Sequence, residues 1–211
     1  MAKKINNDLC KKESPPASGN RIIYDTDIKG FGLRITAAGN KSFILNYRNE
    51  EGRERRYTIG PYSALSVEAA RKEAKELKKL VAKGKDPQAK KTAARQAPTV
   101  ADLCDRYIED HLPRKRPSSQ TSDKRMIASI IRPKLGKRKV EKVDYADIDD
   151  LHRSLKATPY QANRALALLS KMFSLSLKWK WRDVQAGNPC RGIERYTETQ
   201  RRRYLKGDET A

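Results

Sequence analysis

Long apolar runs are missing from this chain. The residues A, V, I, L, M, F, W, Y and C make up only 37% of its 211 positions. No stretch approaches the ~18–20 consecutive apolar residues that span a bilayer, so an integral helical membrane protein is excluded. No apolar run near Met1 reads as a secretory signal either. Cysteine is limited to Cys10, Cys104 and Cys190. An odd number, so widely spaced, makes no disulfide framework, and reduced cytosolic thiols are expected. Histidine is limited to His111 and His152, and no Cys/His pair stands at zinc-ligand spacing. Enzyme signatures are lacking too. There is no Walker phosphate loop, and Gly30 with Gly32 does not complete a dinucleotide fingerprint. His111 is expected at a helix end and His152 on an exposed helix face. Asp147, Asp149 and Asp150 suit the positive end of a helix dipole better than a metal. No catalytic residue, metal or cofactor is expected.

Positive charge is what the chain has in excess. It carries 47 Lys+Arg against 26 Asp+Glu, a formal net charge of +21. The excess is not confined to a tail: residues 20–80 hold 13 basic and 8 acidic groups, and residues 99–180 hold 18 and 10. Such a field favours a polyanion. Nucleic acid leads, because neutralising its phosphates releases condensed counterions. An anionic membrane surface would call for a basic helix with bulky apolar anchors. The most basic helix, Arg71 to Lys83, has a narrow Val/Ala/Leu stripe and no aromatic residue, which fits packing on its own domain.

Residues 1–19, with Ser14-Pro15-Pro16, read as a mobile leader. β-like runs follow. Phe31 to Thr36 alternates, placing Phe31, Leu33 and Ile35 on one side and Gly32, Arg34 and Thr36 on the other. Ala38-Gly39-Asn40 is a hairpin turn, and Lys41 to Arg48 is the next strand. Asn49 to Gly52 turns into Arg53 to Ile59. Ser66 caps a helix whose Val67, Ala70, Ala74, Leu77 and Val81 recur at helical spacing, and Gly84 ends it. Residues 20–83 therefore predict a small three- to four-stranded antiparallel sheet with one packed helix. Residues 84–98, rich in Lys, Ala and Gln, read as a linker able to reach about 50 Å when extended. Residues 99–184 predict a separate all-α domain of four helices. The first begins at the cap Thr99 and stops at Pro113. The second spans about 119–132, the third begins at the cap Asp144, and the fourth runs from Thr158-Pro159 to about Trp181. Residues 185–211, with the basic stretch Arg191 to Lys206, trail out.

Two sets of side chains stand out. The strands flanking Asn49 to Gly52 carry Arg34, Asn46, Arg48, Arg56 and Thr58 on the non-core face, with Arg53 beside the turn. A two-stranded ribbon fits the major groove, and these residue types suit base edges and phosphates. Ile44 shares that face and is expected to be exposed. In the helical half, basic groups sit at expected helix starts and turns: Lys124, Arg125, Arg132, Lys134, Lys137, Arg138, Lys139, Arg164 and Lys171. Helix N-termini offer backbone N–H groups to phosphates. Ser118, Ser119 and Thr121 add hydroxyl donors, and Tyr160 and Asn163 lie beside Arg164 in the first turn of the last helix. Lys137-Arg138-Lys139 has no acidic neighbour before Glu141. Trp179 and Trp181 suit packing anchors.

The order of these features resembles that of phage and genomic-island integrases, recombinases of the tyrosine class. The resemblance is carried by Gly30-Phe31-Gly32-Leu33-Arg34-Ile35, by Gly39-Asn40-Lys41-Ser42-Phe43, by Tyr57 through Ser66 and by Glu68-Ala69-Ala70-Arg71. Thr99 to Tyr107, Leu135-Gly136, Val140 to Asp147 and Asn188-Pro189 extend it, so that it covers about residues 20–205. It implies an N-terminal arm-binding domain whose sheet enters the major groove, then a core-binding SAM-like helical domain that forms half of a clamp. The implied partners are double-stranded DNA of arm-type and core-type attachment sites, other integrase subunits and host DNA-bending proteins. The implied location is the bacterial cytoplasm, at the nucleoid. It further implies that Arg34, Asn46, Arg48, Arg53, Arg56 and Thr58 meet arm DNA. Ser119, Thr121, Lys124, Arg125, Lys137, Arg138, Lys139, Asn163, Arg164 and Lys171 would meet core DNA. The family's catalytic domain would begin near Ala211, and neither Tyr196 nor Tyr204 matches its nucleophile motif, so this chain is expected to bind DNA without cutting it. Two other readings share the same residues: a truncated integrase that regulates or inhibits recombination, and a general basic RNA- or DNA-binding protein.

Overall fold

In the computed structural model, which describes residues 2–198, the chain divides after Gln96 into two units. The first is built on the strands β1 (Asn20–Tyr24), β2 (Phe31–Thr36), β3 (Lys41–Arg48) and β4 (Glu54–Pro61), hydrogen-bonded as an antiparallel meander in chain order. Side-chain alternation decides its faces. Phe31, Leu33, Ile35, Phe43 and Leu45 are fully buried on the inner face, where the Phe31 and Phe43 rings stack 5.7 Å apart. Three short helices lie in this unit's outline: α1 (Asn7–Lys12), α2 (Val67–Ala82) and α3 (Pro87–Gln96). The cap Ser66 accepts from Ala69 N–H at 3.1 Å, and α2 lays Val67, Ala70, Ala74 and Leu77 against the sheet.

Two stretches expected to be loose are folded. Within the leader, α1 packs Cys10 into the core beside Ile5, both fully buried, and Lys3 N–H donates to the Tyr24 carbonyl at 2.9 Å. A polar stretch whose apolar residues are few, Ile5, Leu9 and Cys10, has no sustained period, yet Ile5 and Cys10 join the core and Leu9 packs against it. Within the expected linker, α3 buries no residue and is held by polar anchors instead. The Tyr47 hydroxyl donates to Asp86 and accepts from Gln88 N–H at 2.9 Å. Burial, then the Asp86 hydrogen bond, pushes the Tyr47 phenol up to about 12, so it stays a donor. Lys91 Nζ donates to the Thr58 carbonyl at 3.1 Å and lies 4.5 Å over the Tyr57 ring. Ile44, expected to be exposed, is fully buried. It occupies the middle of a central strand, between Gly32 of β2 and Thr58 of β4.

The pieces of this unit meet at Asp25, whose side chain is fully buried. Its Oδ1 accepts from Arg71 Nη2 of α2 at 2.7 Å and from Ile5 N–H at 2.9 Å. Burial pushes the carboxyl up, but the hydrogen bonds from Arg71 and Ile5 outweigh it and hold Asp25 below its usual value.

The second unit is helical. α4 (Val100–Arg106) opens with a capping box between Thr99 and Asp102 and continues through a π-turn at Tyr107–His111. α5 (Pro117–Met126) runs through a second π-turn, Ile127–Ile131, into α6 (Arg132–Leu135). α7 (Tyr145–Arg153) has its own capping box, Asp144 with Asp147, and α8 (Pro159–Lys178) follows. Their shared core includes Leu103, Tyr107, Ile131, Ile148, Leu169 and Phe173. Trp179 and Trp181 are packing residues, with the Arg106 guanidinium 4.3 and 4.9 Å from their rings. Arg182 is 7% exposed and has no carboxylate ion-pair partner among the described residues. It donates to the carbonyls of Val140 and Val143, both at 2.8 Å, and of Gly187 at 2.7 Å. It thus closes the loop after α8 onto the turn before α7. His152, expected on an exposed face, is 2% exposed. The physical reason is the chain after Asn188-Pro189, which returns over α7 and stacks the Tyr196 ring on His152 at 4.5 Å.

Asp25→Ala is expected to destabilise the protein by about 2–4 kcal/mol, because it strands the Arg71 charge. Its contribution is present above the unfolded value of ~3.9 and is lost as pH falls through the lower folded value. Chemical denaturation at pH 7 and pH 3 checks this: the gap between wild type and variant shrinks at pH 3. Arg182→Met is expected to cost about 2–4 kcal/mol by leaving buried carbonyls unpaired, read as a lowered thermal midpoint with no acid dependence of that kind.

Candidate nucleic-acid interface

On the sheet, register determines which side chains can act together. Asn46 pairs with Arg56, Arg48 with Glu54, Ile44 with Thr58, and Arg34 with Ser42. The alternation therefore puts Arg34, Asn46, Arg48, Arg56 and Thr58 on one face, opposite the core. They differ in how they are held. Arg48 donates to Glu54 at 3.2 Å with side chains 73% and 81% exposed, and Arg53 faces Glu51 at 3.3 Å in a similar surface pair. Pairs so exposed contribute at most about 1 kcal/mol, so a phosphate can displace either carboxylate. Arg34 is half-buried, and its Nε is buried with no hydrogen-bond partner among the described residues. Thr58 is half-buried. Arg56 is exposed, and its Nε donates to Asn46 Oδ1 at 3.1 Å. Asn46 Nδ2 donates in turn to the Tyr24 hydroxyl at 2.6 Å. Tyr24 belongs to these surroundings and was not anticipated. Its signal was the same alternation that placed Gly32 on this face.

In the helical unit the expected set divides. Arg164 and Lys171 lie on α8 in an exposed stripe, with Tyr160, Ala167, Ser174 and Lys178. Lys137 is exposed. The basic turn it belongs to is pinned to the start of α4, where Val100 N–H donates to the Arg138 carbonyl at 2.8 Å and Thr99 bridges Lys139. Arg138, which has no acidic sequence neighbour, meets Asp147 across the fold at 2.6 Å. Lys139 Nζ donates to the Ala97 carbonyl. Lys124 and Arg125 are exposed, but in the last turn of α5 rather than at a helix start, because the helix begins earlier, at Pro117. Thr121 Oγ1 donates to the Pro117 carbonyl at 3.2 Å, and Ser119 is half-buried. Arg132 is engaged by Asp105, and Lys134 by Ser154.

Asn163 is not a surface contact. It is 6% exposed, and its amide is occupied: Nδ2 donates to the Tyr196 carbonyl at 2.8 Å and to Glu198 at 2.7 Å, while Oδ1 accepts from Tyr196 N–H at 3.0 Å. Its neighbours Ala162 and Ala165 are buried too, so position 163 faces inward on α8. The remainder of the basic segment after Glu198, Tyr204 included, lies outside the described residues. A cationic neighbourhood missed in the sequence surrounds His111. Partial burial, then Lys171, Lys115 and Arg114, holds its imidazole below the usual value. Among the described residues, no group of His, Cys, Asp and Glu can hold a metal, and no helix is long and apolar enough to cross a membrane.

These two units, a sheet with a polar cationic face and a capped helical bundle, match two known domain families in order. Residues 2–94 match the family model of the arm DNA-binding domain, and residues 99–156 match that of the phage integrase N-terminal SAM-like domain. The chain thus carries an arm DNA-binding domain followed by a phage integrase N-terminal SAM-like domain. A domain from a Nitrosospira multiformis protein described as a phage integrase is 27% identical, covering 52% of this chain and 93% of its own, with a TM-score of 0.41. The lambda integrase tetramer bound to a Holliday junction is 18% identical, covering 84% of this chain and 50% of its own, with a TM-score of 0.50. The lambda integrase dimer bound to a COC' core site is also 18% identical, covering 84% of this chain and 48% of its own, with a TM-score of 0.46. This chain thus spans about half the length of those lambda integrase chains. The lambda likeness concerns the fold. No curated protein matches.

Asn163→Ala is expected to release residues 193–198 from α8 while leaving duplex affinity within about twofold. Hydrogen exchange or limited proteolysis at that segment, alongside a binding titration, checks it.

Proposed function

We propose that this chain binds double-stranded DNA at two kinds of site for a phage-type integrase that directs site-specific recombination. The outer face of the sheet takes arm-type sequence, and the helical unit takes core-type sequence. The observation that carries this is the shared face of Asn46, Arg48, Arg56 and Thr58 on a β3–β4 ribbon, with the main core cluster on the other side and Ile44 the buried apolar residue among them. A ribbon of this kind fits a groove about 12 Å wide. The net charge of +21 supports a polyanionic partner. For core DNA the candidates are Ser119, Thr121, Lys124, Arg125, Lys137, Arg164 and Lys171, with Arg138 after exchange of its Asp147 partner and Lys139 at the same turn. The positive charge of Lys171 and Arg114 that reaches His111 supports a phosphate-binding neighbourhood there, while Lys115 is paired with Asp123 at 2.7 Å. Other integrase subunits and host DNA-bending proteins are the further partners, and the bacterial nucleoid is the location. Binding roles alone are assigned to these residues, and strand cleavage to none of them. Tyr196, stacked on His152, is given a structural role.

Site-directed variants test the division of labour. Arg48→Ala and Arg56→Ala are expected to weaken arm-type binding, and Lys137→Ala and Arg164→Ala core-type binding. A lost base contact costs about 1–3 kcal/mol and changes sequence preference, whereas a lost phosphate contact lowers the salt slope by about 1. Equal loss on every sequence from all four variants would refute the assignment, and absence of duplex binding in dilute salt would end the proposal. NMR titration offers a separate check. The His111 imidazole is expected to titrate below its usual ~6.5 in the unbound protein and to move upward when core-type duplex brings phosphate near Lys171.

A further inference from the structure

Among the cations on the outer face of the sheet, Arg56 is held differently from the rest. Arg48 and Arg53 each face a carboxylate, and Arg34 is half-buried. Arg56 is exposed and makes no ion pair among the described residues. Its anchor is neutral: Nε donates to Asn46 Oδ1 at 3.1 Å. That bond fixes the guanidinium through its inner nitrogen and leaves the terminal nitrogens, with their full charge, for a bidentate acceptor.

The anchor is itself anchored. Asn46 Nδ2 donates to the Tyr24 hydroxyl at 2.6 Å, so a hydrogen-bonded row runs from β1 to β4 across the sheet. Tyr24 belongs to β1 and Asn46 to β3, with β2 between them. The phenol spans β2 at Gly32, its register partner. A methyl group at Gly32 would meet Tyr24 Cδ1 at 3.3 Å, Ile22 Cγ2 at 3.2 Å and the Ile23 carbonyl at 3.1 Å. Gly32 has no unusual backbone angle that requires glycine. A side chain there would crowd the Ile23 carbonyl first and then Ile22 and the ring, so glycine leaves room both for strand pairing and for the ring that reaches Asn46.

We infer that Arg56 reads a guanine edge in arm-type DNA and that Tyr24, Asn46 and Gly32 are the positioning residues that aim it. The inference rests on the arm-binding reading above. Guanine offers O6 and N7 together in the major groove, the acceptor pair that an arginine fork matches. A fork fixed before binding loses less freedom on contact, so its orientation translates into discrimination. Both ends of the Asn46 amide are engaged in this row, so Asn46 acts through Arg56 instead of pairing with adenine.

The test is selection from a randomised duplex pool by the whole chain, followed by competition between the selected duplex and one with guanine changed to adenine. Wild type is expected to select an invariant guanine and prefer it by roughly 10-fold or more. Arg56→Lys keeps the charge but not the fork, and is expected to reduce that preference below about 3-fold. Tyr24→Phe and Gly32→Ala are expected to reduce it at least about 3-fold, with affinity for a scrambled duplex unchanged. A merely structural role for Tyr24 would shift the thermal midpoint and all affinities together. An unchanged guanine preference in Tyr24→Phe overturns the positioning role. Equal weakening on every duplex in Arg56→Lys marks Arg56 as a phosphate contact and overturns the base reading. Should Tyr24→Phe fail to fold, Arg56→Lys still decides the guanine contact and Gly32→Ala the positioning. Wild type that binds no duplex in dilute salt overturns the arm-binding reading itself, a distinct outcome.

Discussion

The contact between Asp25 and Arg71 joins three pieces of chain that are far apart in sequence. The carboxylate at the end of β1 holds the guanidinium of α2 and the backbone of Ile5 at the same time. A four-stranded sheet of this size has one face it can bury, and α2 alone does not cover it. With α2 clamped at Arg71 and Ile5 drawn in beside it, the inner face is closed to water. The opposite face is then left mainly to polar and cationic groups, which cover the one fully buried apolar residue there, Ile44, since a two-faced apolar sheet would need a second covering layer. The surface proposed to face DNA is thus a consequence of how the core is closed.

The helical unit solves a different problem with the same residue type. Among the described residues, Arg182 is buried with no carboxylate ion-pair partner and takes its partners from the backbone carbonyls of Val140, Val143 and Gly187. Burial holds its charge below the usual arginine range. Arg106 covers two tryptophan rings, Arg132 meets Asp105, and Arg138 meets Asp147. Part of the +21 excess therefore serves the fold. Sorting cations by what they already touch separates those available to a polyanion, such as Arg56, Lys137 and Arg164, from those that hold the protein together.

Much of this was legible beforehand. The alternation in Phe31 to Thr36 and Lys41 to Arg48 identifies the inner face and hence the outer one. The capping residues Ser66, Thr99 and Asp144 mark real helix starts. Other features were not legible, for specific reasons. Ile5 and Cys10 are two apolar residues in a polar stretch, and α3 is held by polar anchors with no apolar period. Asn163 looks like any polar residue in a first helical turn until the chain from Ile193 to Glu198 is seen to return across it. His152 is buried by that same return.

Composition and periodicity by themselves determined the positive excess that favours a polyanion, the two kinds of fold and the face of the sheet turned from the main core, because these depend on net charge and on local spacing along the chain. Tertiary structure alone decided which polar side chains remain available on that surface and which are consumed inside it. The reason is that a hydrogen bond or ion pair between distant segments, such as Tyr24 with Asn46 or Arg138 with Asp147, depends on where folding brings their ends. No local pattern encodes that distance.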